Sequence, residues 1–427
     1  MASGNSIRGA AVLADLSAHE TVLMVAAAAL PLLGLYAPRL LMYPAAVLAL
    51  TLIWASWREG RPLLPRPPWA LAALMAGLLV LGGIGLAWSA DVARSGRTLR
   101  DLAAFAAGAF LLLAALGPVE GRARRRIGMA LAAGFALAVV PLVVDRLIGE
   151  PLVQWLRDRS PPGREQVLGL YNRGLAVMGL FLWPAAAALL RAGRARLAVG
   201  LIAVWLAVAW SFAGLSMALA VTLGTVAAGL ILALPRHWAV LFPAAAALWI
   251  AIAPPVLFHA TRAVDVDEVA RVTRSVSVSH RVVIWRFVTG KIAERPFTGH
   301  GIGASRSVPG GGEKIRIAGP RRDFEVIALP HHPHNAVLEW WLDLGLPGAA
   351  LAGAIAVLAF RGAARFADPR IRAMATGQAV TGFCIAGLSF GTWQAWWLTA
   401  LLLAAVLTLA VAREPAAPDP PAAAVGG

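Results

Sequence analysis

The sequence is short of charged residues and of cysteine. Only 14% of its 427 residues are Asp, Glu, Lys or Arg, whereas a soluble globular domain has about a quarter. Cys384 is the single cysteine, so no disulfide can form within the chain. The composition therefore excludes an ordinary soluble enzyme and a small secreted domain held together by disulfides.

Several sequence motifs are also absent. No Gly-x-x-x-x-Gly-Lys phosphate loop supports ATP-driven transport, and no acidic pair suggests a nucleotide-sugar or metal site. Ionisable residues are rare in the apolar segments, whereas proton-coupled transporters usually carry them at membrane depth. Asp145 and Arg146 fall near the end of such a segment and are interpreted as interfacial. Residues Met1–Glu20 lack the apolar core and cleavage site of a signal peptide, so we expect none.

Apolar residues make up 59% of the chain and recur in long runs nearly from end to end. A transmembrane helix needs about 20 such residues, and this length predicts an all-α polytopic membrane protein with about twelve spans. The predicted spans are Thr21–Tyr36, Leu40–Trp57, Trp69–Trp88, Leu99–Leu116, Ile127–Ile148, Gly174–Leu190, Leu197–Phe212, Leu215–Leu234, Trp238–His259, Ala336–Phe360, Met374–Phe390 and Trp393–Val411.

Arginine placement predicts the topology, because every even-numbered connection is short and basic. By the positive-inside rule these connections and both termini face the cytoplasm of a bacterial inner membrane, and the odd-numbered ones face the periplasm. This pattern explains much of the net charge of +16, so a nucleic-acid partner is not expected. The arginines concerned are Arg58, Arg61, Arg66, Arg122, Arg124, Arg125, Arg126, Arg191, Arg194, Arg196, Arg236, Arg361, Arg365, Arg370 and Arg372.

The spans divide the chain into four parts. Residues 1–259 hold nine predicted spans, 260–335 form a large periplasmic loop, and 336–413 hold three further spans. Residues 414–427 form an Ala/Pro-rich cytoplasmic tail that we expect to be disordered. A second long periplasmic connection runs from about Gly149 to Arg173.

The large loop contains a segment that is compatible with an amphipathic helix, Val269–Glu294. Arg295-Pro296 should end this helix, which could lie on the bilayer surface or cap the helix bundle. Arg281, Arg286 and Lys291 lie among the side chains of its predicted apolar face. Those apolar side chains are Val282, Val283, Trp285, Val288 and Ile292.

Ten arginines fall in this one periplasmic loop, an excess that the positive-inside rule does not predict. Arginine binds phosphate oxygens with two hydrogen bonds, so the excess suggests a pyrophosphate site, although plain surface solvation is an alternative. Arg173, which follows Asn172 at the start of the sixth span, faces the same side; snorkelling to the interface is its alternative role. The ten are Arg262, Arg271, Arg274, Arg281, Arg286, Arg295, Arg306, Arg316, Arg321 and Arg322.

Three histidines, His331, His332 and His334, cluster immediately before the tenth predicted span. Pro333 stiffens the chain between them, and Asn335 can hydrogen-bond an imidazole or a sugar. A metal site is one interpretation. We favour His334 as a general base, because a neutral imidazole can accept the proton of a sugar hydroxyl near pH 7.

The motif His334-Asn335, nine residues, Gly345-x-x-Gly348 resembles the signature of bacterial O-antigen ligases. The broader family includes O-antigen polymerases and protein O-oligosaccharyltransferases. Arg281-x-x-Ile284-Trp285, followed by Pro296-x-x-Gly299-His300-Gly301-x-Gly303, looks like the start of that family's large periplasmic loop. The resemblance implies the fold of membrane-embedded lipid-donor (C-type) glycosyltransferases.

The resemblance also implies a reaction. Ligases of this family transfer a glycan from undecaprenyl pyrophosphate to a sugar hydroxyl of lipid A–core in lipopolysaccharide biosynthesis, with inversion and without a metal or cofactor. His334 would be the base, with Asn335 and His332 in support. Arg281, joined by Arg173 and Arg286, would bind the donor pyrophosphate. The glycines Gly345 and Gly348 would turn and pack the start of the tenth span.

One feature departs from the family pattern. Many members carry an arginine after a serine near the periplasmic end of the seventh or eighth span, but the run from Trp210 to Ser216 has none. Arg173 is the nearest substitute. Two alternative functions remain open: a polymerase or protein O-oligosaccharyltransferase with the same donor chemistry, and a non-enzymatic lipid or polysaccharide transporter.

Overall fold

The computed structural model describes residues 16–65, 67–149, 164–319 and 323–412. Long helices dominate these ranges, with one short β-hairpin. The elements are α1 (Ala18–Tyr36), α2 (Met42–Arg58), α3 (Trp69–Ile84), α4 (Val92–Ala115), α5 (Gly121–Leu147), α6 (Arg164–Arg191), α7 (Ala195–Phe212), α8 (Leu215–Ala233), α9 (Leu241–Arg262), α10 (Val266–Thr273), α11 (Val276–Glu294), β1 (Lys314–Ile317), β2 (Phe324–Ile327), α12 (Ala336–Ala364), α13 (Pro369–Leu388) and α14 (Ala395–Ala412).

The predicted all-α polytopic membrane fold is confirmed. Ten helices in the described ranges are long and apolar enough to cross a membrane. Each of the twelve predicted spans coincides with a described helix. Two of these twelve helices are not among the ten. They are α2, which has 17 residues, and α13, whose first turn carries Arg370 and Arg372.

Some sequence predictions need correction or lie outside these ranges. The predicted connection from Gly149 to Arg173 is shorter than expected, because α6 already begins at Arg164. Residues 150–163 and the tail 414–427 lie outside the described ranges. So do three of the arginines named above, Arg66, Arg321 and Arg322.

Helix α6 is the centre of the bundle. It packs against α1, α5, α7, α13 and α14, and 89% of its most apolar stretch is buried. Membrane helices pack closely where one of them carries a small residue: Gly174 of α6 lies against the Leu35 carbonyl of α1. In contrast, 17% of the apolar stretch of α3 is buried, so α3 leaves most of its apolar surface uncovered.

The segment predicted as one helix, Val269–Glu294, is two helices. Arg274 adopts a left-handed conformation (φ 50°) that ends α10, and the Ser275 side chain then caps α11 by accepting the Val278 N–H. The predicted end before Arg295-Pro296 is confirmed, since α11 stops at Glu294. The antiparallel hairpin of β1 and β2, in which Ile315 pairs with Val326, was not predicted.

Helix α11 caps the bundle, which was one of the two predicted alternatives. Its residues Ile284, Val288 and Ile292 pack against Leu338 and Leu342 of α12. On another side of α11, Val283 packs against Ile317 and Val326 of the hairpin and against Ala270 of α10. The predicted apolar residues Val282 and Trp285 are only half-buried.

Helix α12 is kinked near its beginning. Gly345 has φ 64° and ψ −161°, outside the helical region, and a side chain there would overlap the Phe297 carbonyl. The Leu346 N–H donates to the Pro296 carbonyl at 2.8 Å. At Gly348 a side chain would overlap Leu344 across the kink. Residues 336–344 therefore form a separate short helix, over which the large loop folds.

Candidate active site

His334 lies immediately before α12, at the opposite end of that helix from Arg361 and Arg365. Asn335 is the N-cap of α12: it is 2% exposed, and its Oδ1 accepts the Leu338 N–H at 3.2 Å. The cap fixes the residue that follows His334. The histidine is thus held at the junction between the large loop and the helix bundle.

The imidazole of His334 is oriented by a backbone carbonyl. Its Nδ1 lies 2.6 Å from the carbonyl oxygen of Ser389, at the end of α13. A carbonyl oxygen only accepts hydrogen bonds, so Nδ1 carries the proton and the neutral ring has its lone pair on Nε2. No hydrogen bond joins Nε2 to another residue of the described ranges. Nε2 is therefore available as a proton acceptor.

Burial lowers the pKa of His334 below the ordinary histidine value of 6.5. The Ser389 carbonyl opposes this shift, and the nearby charge of Arg281 adds to it. The net direction is downward. His334 is therefore a neutral imidazole at pH 7, the state in which it can accept a proton.

His332 supports the turn on which His334 sits. His334 has φ 54°, a left-handed conformation that costs a non-glycine residue about 1–2 kcal/mol. Its N–H donates to Nδ1 of His332 at 3.2 Å, and the two ring centroids are 4.2 Å apart. Burial, followed by the neighbouring histidines and arginines, lowers the pKa of His332 to about 3. His332 is thus a neutral acceptor for this backbone N–H.

The alternative of a metal site gains no support from this geometry. In both His332 and His334, Nδ1 already takes part in a hydrogen bond within the protein. Across the described ranges, no group of three or more His, Cys, Asp or Glu side chains has the arrangement of a metal site.

Arg281 of α11 reaches the same place. Its Nε donates to the Leu388 carbonyl at 3.2 Å, and its Nη1 donates to the carbonyl and hydroxyl of Ser277. Within the described ranges Nη2 makes no hydrogen bond. Trp285, one turn further along α11, donates its Nε1 to the Pro333 carbonyl at 3.0 Å. Helix α11 thus fixes both a guanidinium and the backbone just before His334.

Residues 388–393 run from the last residue of α13 towards α14, and we call them the 388–393 connection. They lie against the side chains of Arg281, His332 and His334. Leu388 and Ser389 supply the carbonyls for Arg281 and His334. A Cβ on Gly391 would lie 3.0 Å from Cγ of His332. This connection was not predicted from the sequence. The carbonyl contacts involve backbone atoms that every residue has, so they leave no mark on the sequence. Gly391 was the one residue in this stretch whose type could have indicated a close contact.

Arg286 has a different position from Arg281. Its Nε and Nη2 donate to the Thr261 carbonyl at 3.1 and 2.6 Å, and Nη2 also donates to the Val264 carbonyl at 2.8 Å. These bonds tie α11 to the C-terminal end of α9. No contact joins Arg286 to His334 in the described part of the chain.

Arg173 lies on α6, beside Asn172. The Oδ1 of Asn172 is 3.8 Å from the position of a Cβ on Gly214. Two residues later, the Ser216 hydroxyl lies 2.9 Å from the Ser389 hydroxyl. The run from Trp210 to Ser216, which lacks the family arginine, therefore lies between Asn172 of α6 and Ser389. The carbonyl of Ser389 is the group that orients His334.

Arg306 is a loop cation for which the sequence predicted no separate role. It is exposed on the short 3₁₀ turn Ala304–Ser307, and its charge contributes to the lowered pKa of His332. The turn is fixed on both sides: the Ser305 hydroxyl donates to Asp343 at 3.1 Å, and the Ser307 hydroxyl donates to Asp91 at 3.0 Å.

Other loop cations pair with nearby carboxylates instead. On the hairpin, Arg316 pairs with Asp323 and Lys314 pairs with Glu325, all of them well exposed. For these residues the alternative of surface solvation holds. The arginine excess thus separates into cations near the histidines and cations that serve the loop's own structure.

Comparison with known proteins shows what this region is similar to. The family model described as O-antigen ligase matches residues 167–353, from α6 to the kinked part of α12. A Rickettsia conorii protein provisionally named as a polysaccharide ligase is 28% identical over 246 residues, which cover 56% of this chain and 57% of that protein. A Rickettsia felis protein of the same name is 28% identical over 245 residues, 56% of this chain and 58% of that protein.

A shorter alignment, to a Rickettsia bellii protein with the same provisional name, is 30% identical over 132 residues, 31% of each chain. The chain thus spans little more than half the length of the Rickettsia conorii and Rickettsia felis proteins. The matched region contains Arg173, Arg281, His334 and Gly345. Residues 167–353 are thus similar to the O-antigen ligase family, and the two longer alignments are to proteins provisionally named as polysaccharide ligases.

Proposed function

We propose that this protein is a membrane glycosyltransferase that transfers a glycan from undecaprenyl pyrophosphate to a sugar hydroxyl of lipid A–core. The observation that carries the proposal is the His334 imidazole, whose Nδ1 is bound to the Ser389 carbonyl at 2.6 Å and whose Nε2 is available. Arg281 lies beside it with an available Nη2. Proton acceptor and guanidinium are the two groups that a direct glycosyl transfer from a pyrophosphate needs.

The reaction is a single displacement. Nε2 of His334 takes the proton of the acceptor hydroxyl as its oxygen attacks the anomeric carbon of the donor glycan. The bond from that carbon to the phosphate oxygen breaks, and undecaprenyl pyrophosphate leaves with the electron pair. One attack from the opposite face inverts the configuration at the anomeric carbon.

Arg281 is the group that stabilises the leaving pyrophosphate. Its Nε and Nη1 are held by Leu388 and Ser277, so its guanidinium is oriented before the donor binds. Such preorganised charge is most effective in a site shielded from water. Burial lowers the pKa of Arg281, yet a guanidinium titrates so high that it keeps its charge near neutral pH.

Three further arginines contribute in different ways. We assign Arg306 to the donor phosphates, because it is exposed near His332 on a fixed turn. Arg173 approaches the donor from the α6 side, next to the run that lacks the family arginine. Arg286 contributes by fixing α11, and with it Arg281, to the end of α9.

The site faces the periplasm in this proposal. The arginine-rich connections lie at the other ends of α12 and α13, and the positive-inside rule assigns such connections to the cytoplasm. A lipid-linked glycan donor and lipid A–core would then meet at the outer surface of the inner membrane. Membrane lipids complete the surroundings of the bundle.

The experiment is transfer by purified protein in liposomes that contain an undecaprenyl-pyrophosphate-linked oligosaccharide and lipid A–core, with EDTA present. We expect glycosylated lipid A–core with the wild type and with His237→Ala, which alters an exposed histidine elsewhere. We expect loss of product with His334→Ala. Glycosylation of a peptide alone would identify a protein O-oligosaccharyltransferase, and elongation of the donor glycan a polymerase. Glycolipid movement without any transfer would contradict the proposal and support a transporter.

A further inference from the structure

Glu339 is a buried carboxyl group one turn into α12. It is 4% exposed, and its Oε2 accepts the Thr392 N–H at 2.6 Å. The Thr392 hydroxyl in turn donates to the Ala336 carbonyl at 3.5 Å. Acidic side chains inside membrane helices are costly and are kept where they serve a purpose. Here the acid ties the 388–393 connection to the first turn of α12.

Asp343, one turn later, holds different segments. It is fully buried and accepts three hydrogen bonds: from Trp393 Nε1 at 2.7 Å, the Gly303 N–H at 2.8 Å and the Ser305 hydroxyl at 3.1 Å. Two of these three donors belong to the large loop. Asp343 therefore joins the loop to the bundle, whereas the hydrogen bond of Glu339 is to the 388–393 connection alone.

The 388–393 connection determines where two carbonyl oxygens lie. The Leu388 carbonyl accepts from Arg281, and the Ser389 carbonyl accepts from His334. Helix α13 and the Ser216 hydroxyl hold the connection at its beginning. Three residues beyond Ser389, the Thr392 N–H is held by Glu339. Without that bond, the hydrogen bonds that hold this stretch to α12 would be the long one from the Thr392 hydroxyl to the Ala336 carbonyl and the one from the Trp393 indole to Asp343.

We propose that Glu339 is a positioning residue for the transfer reaction. Through the Thr392 N–H it holds the Leu388 and Ser389 carbonyls where they orient the Arg281 guanidinium and the His334 imidazole. Glu339 does not contact the substrates. The inference rests on the proposed function, because it is that function which gives His334 and Arg281 their roles.

The first test compares Glu339→Leu with Glu339→Gln. Gln keeps an acceptor oxygen at the same chain length, whereas Leu fills similar space without one. We expect Glu339→Leu to lower kcat about a hundredfold, the loss that a displacement of about 1 Å costs, with KM for donor and acceptor unchanged. Glu339→Gln should restore most of kcat. Glu325→Gln, which removes an exposed carboxylate on the hairpin, is the control and should match the wild type.

The second test does not need transfer activity. Diethyl pyrocarbonate modifies the neutral imidazole, and mass spectrometry follows His334 as pH varies. The Ser389 carbonyl raises the pKa of His334 against the effect of burial, so loss of its fixed position moves the midpoint to lower pH. We expect this shift in Glu339→Leu and not in Glu339→Gln. If the wild type transfers no glycan, the proposed function fails while this shift still tests the positioning.

A third variant covers the case in which Glu339→Leu does not fold. Glu339→Asp keeps the carboxyl group but withdraws it from Thr392 by about 1.5 Å, the length of one carbon–carbon bond. It should lower kcat and shift the His334 midpoint in the same direction. Wild-type kcat and a wild-type midpoint in a folded Leu or Asp variant would overturn the proposal.

Discussion

Nδ1 of His334 and the carbonyl oxygen of Ser389 lie 2.6 Å apart and join the start of α12 to the end of α13. The contact selects one tautomer of the neutral ring, with the proton on Nδ1 and the lone pair on Nε2. It also fixes the plane of the ring. A histidine that could rotate freely would present either nitrogen, whereas this contact leaves Nε2 as the nitrogen that can accept a proton in the proposed reaction.

The pH dependence of transfer should follow this imidazole. Burial lowers the pKa of His334, and the nearby charges of Arg281, His280 and His331 lower it further against the opposing Ser389 carbonyl. Since the neutral form is active, kcat/KM should rise with pH, pass its midpoint below 6.5 and be level from about pH 7. Initial rates from pH 4.5 to 8.5 measure this profile. A midpoint above 6.5 would contradict the assignment.

Replacing Arg281 by Lys should not preserve function. Lysine cannot donate to the Leu388 and Ser277 carbonyls and still offer a further donor in the same plane. Loss of a hydrogen bond to a charged group costs about 1.5–3 kcal/mol, so kcat/KM for the donor should fall about tenfold to hundredfold. Steady-state kinetics with varied donor measure the effect. Arg316→Lys, on the exposed hairpin, should behave as the wild type; an equally active Arg281→Lys would refute the role.

Gly345→Ala should destabilise the fold. Its φ of 64° is unfavourable for alanine, and the new Cβ would overlap the Phe297 carbonyl. We expect a loss of about 2 kcal/mol or more, seen as a lower thermal unfolding temperature in detergent. The matched control is Gly362→Ala, near the other end of α12, where a Cβ meets no atom within 4 Å. Equal unfolding temperatures for the two variants would argue against the kink.

Gly391→Ala should reduce activity more than stability. A Cβ there would lie 3.0 Å from Cγ of His332 and would push this ring away from the N–H of His334. The left-handed turn at His334 would lose its acceptor, so kcat should fall while the unfolding temperature changes little. The control is Gly387→Ala, where a Cβ has open space. Unchanged kcat in Gly391→Ala would show that His332 does not support His334.

The spans could be predicted from the sequence, and so could the two principal residues of the candidate site. Membrane helices require long apolar runs, and the length of those runs indicated every described span. The end of α11 followed from Arg295-Pro296. His334 and Arg281 carry side chains with distinctive chemistry and fall in recognisable motifs, so their types and spacing were informative.

The rest of the site could not be predicted, because it depends on the backbone. Leu388 and Ser389 contribute carbonyl oxygens, and neither side chain type signals this role. Leu388 is 107 residues away from Arg281 in the sequence, so only the folded bundle brings them together. The break at Arg274 was missed for a similar reason, since it depends on a left-handed backbone conformation at a residue that is common in helices.

The most direct test of the account is chemical rescue of His334→Ala in the liposome assay. General-base catalysis contributes about 10²–10⁴-fold, so kcat should fall by that factor while KM changes little. Imidazole added to the buffer should restore part of the rate, in proportion to the concentration of its neutral form. Transfer by His334→Ala at the wild-type rate, without added imidazole, would contradict the assignment of His334 as the base.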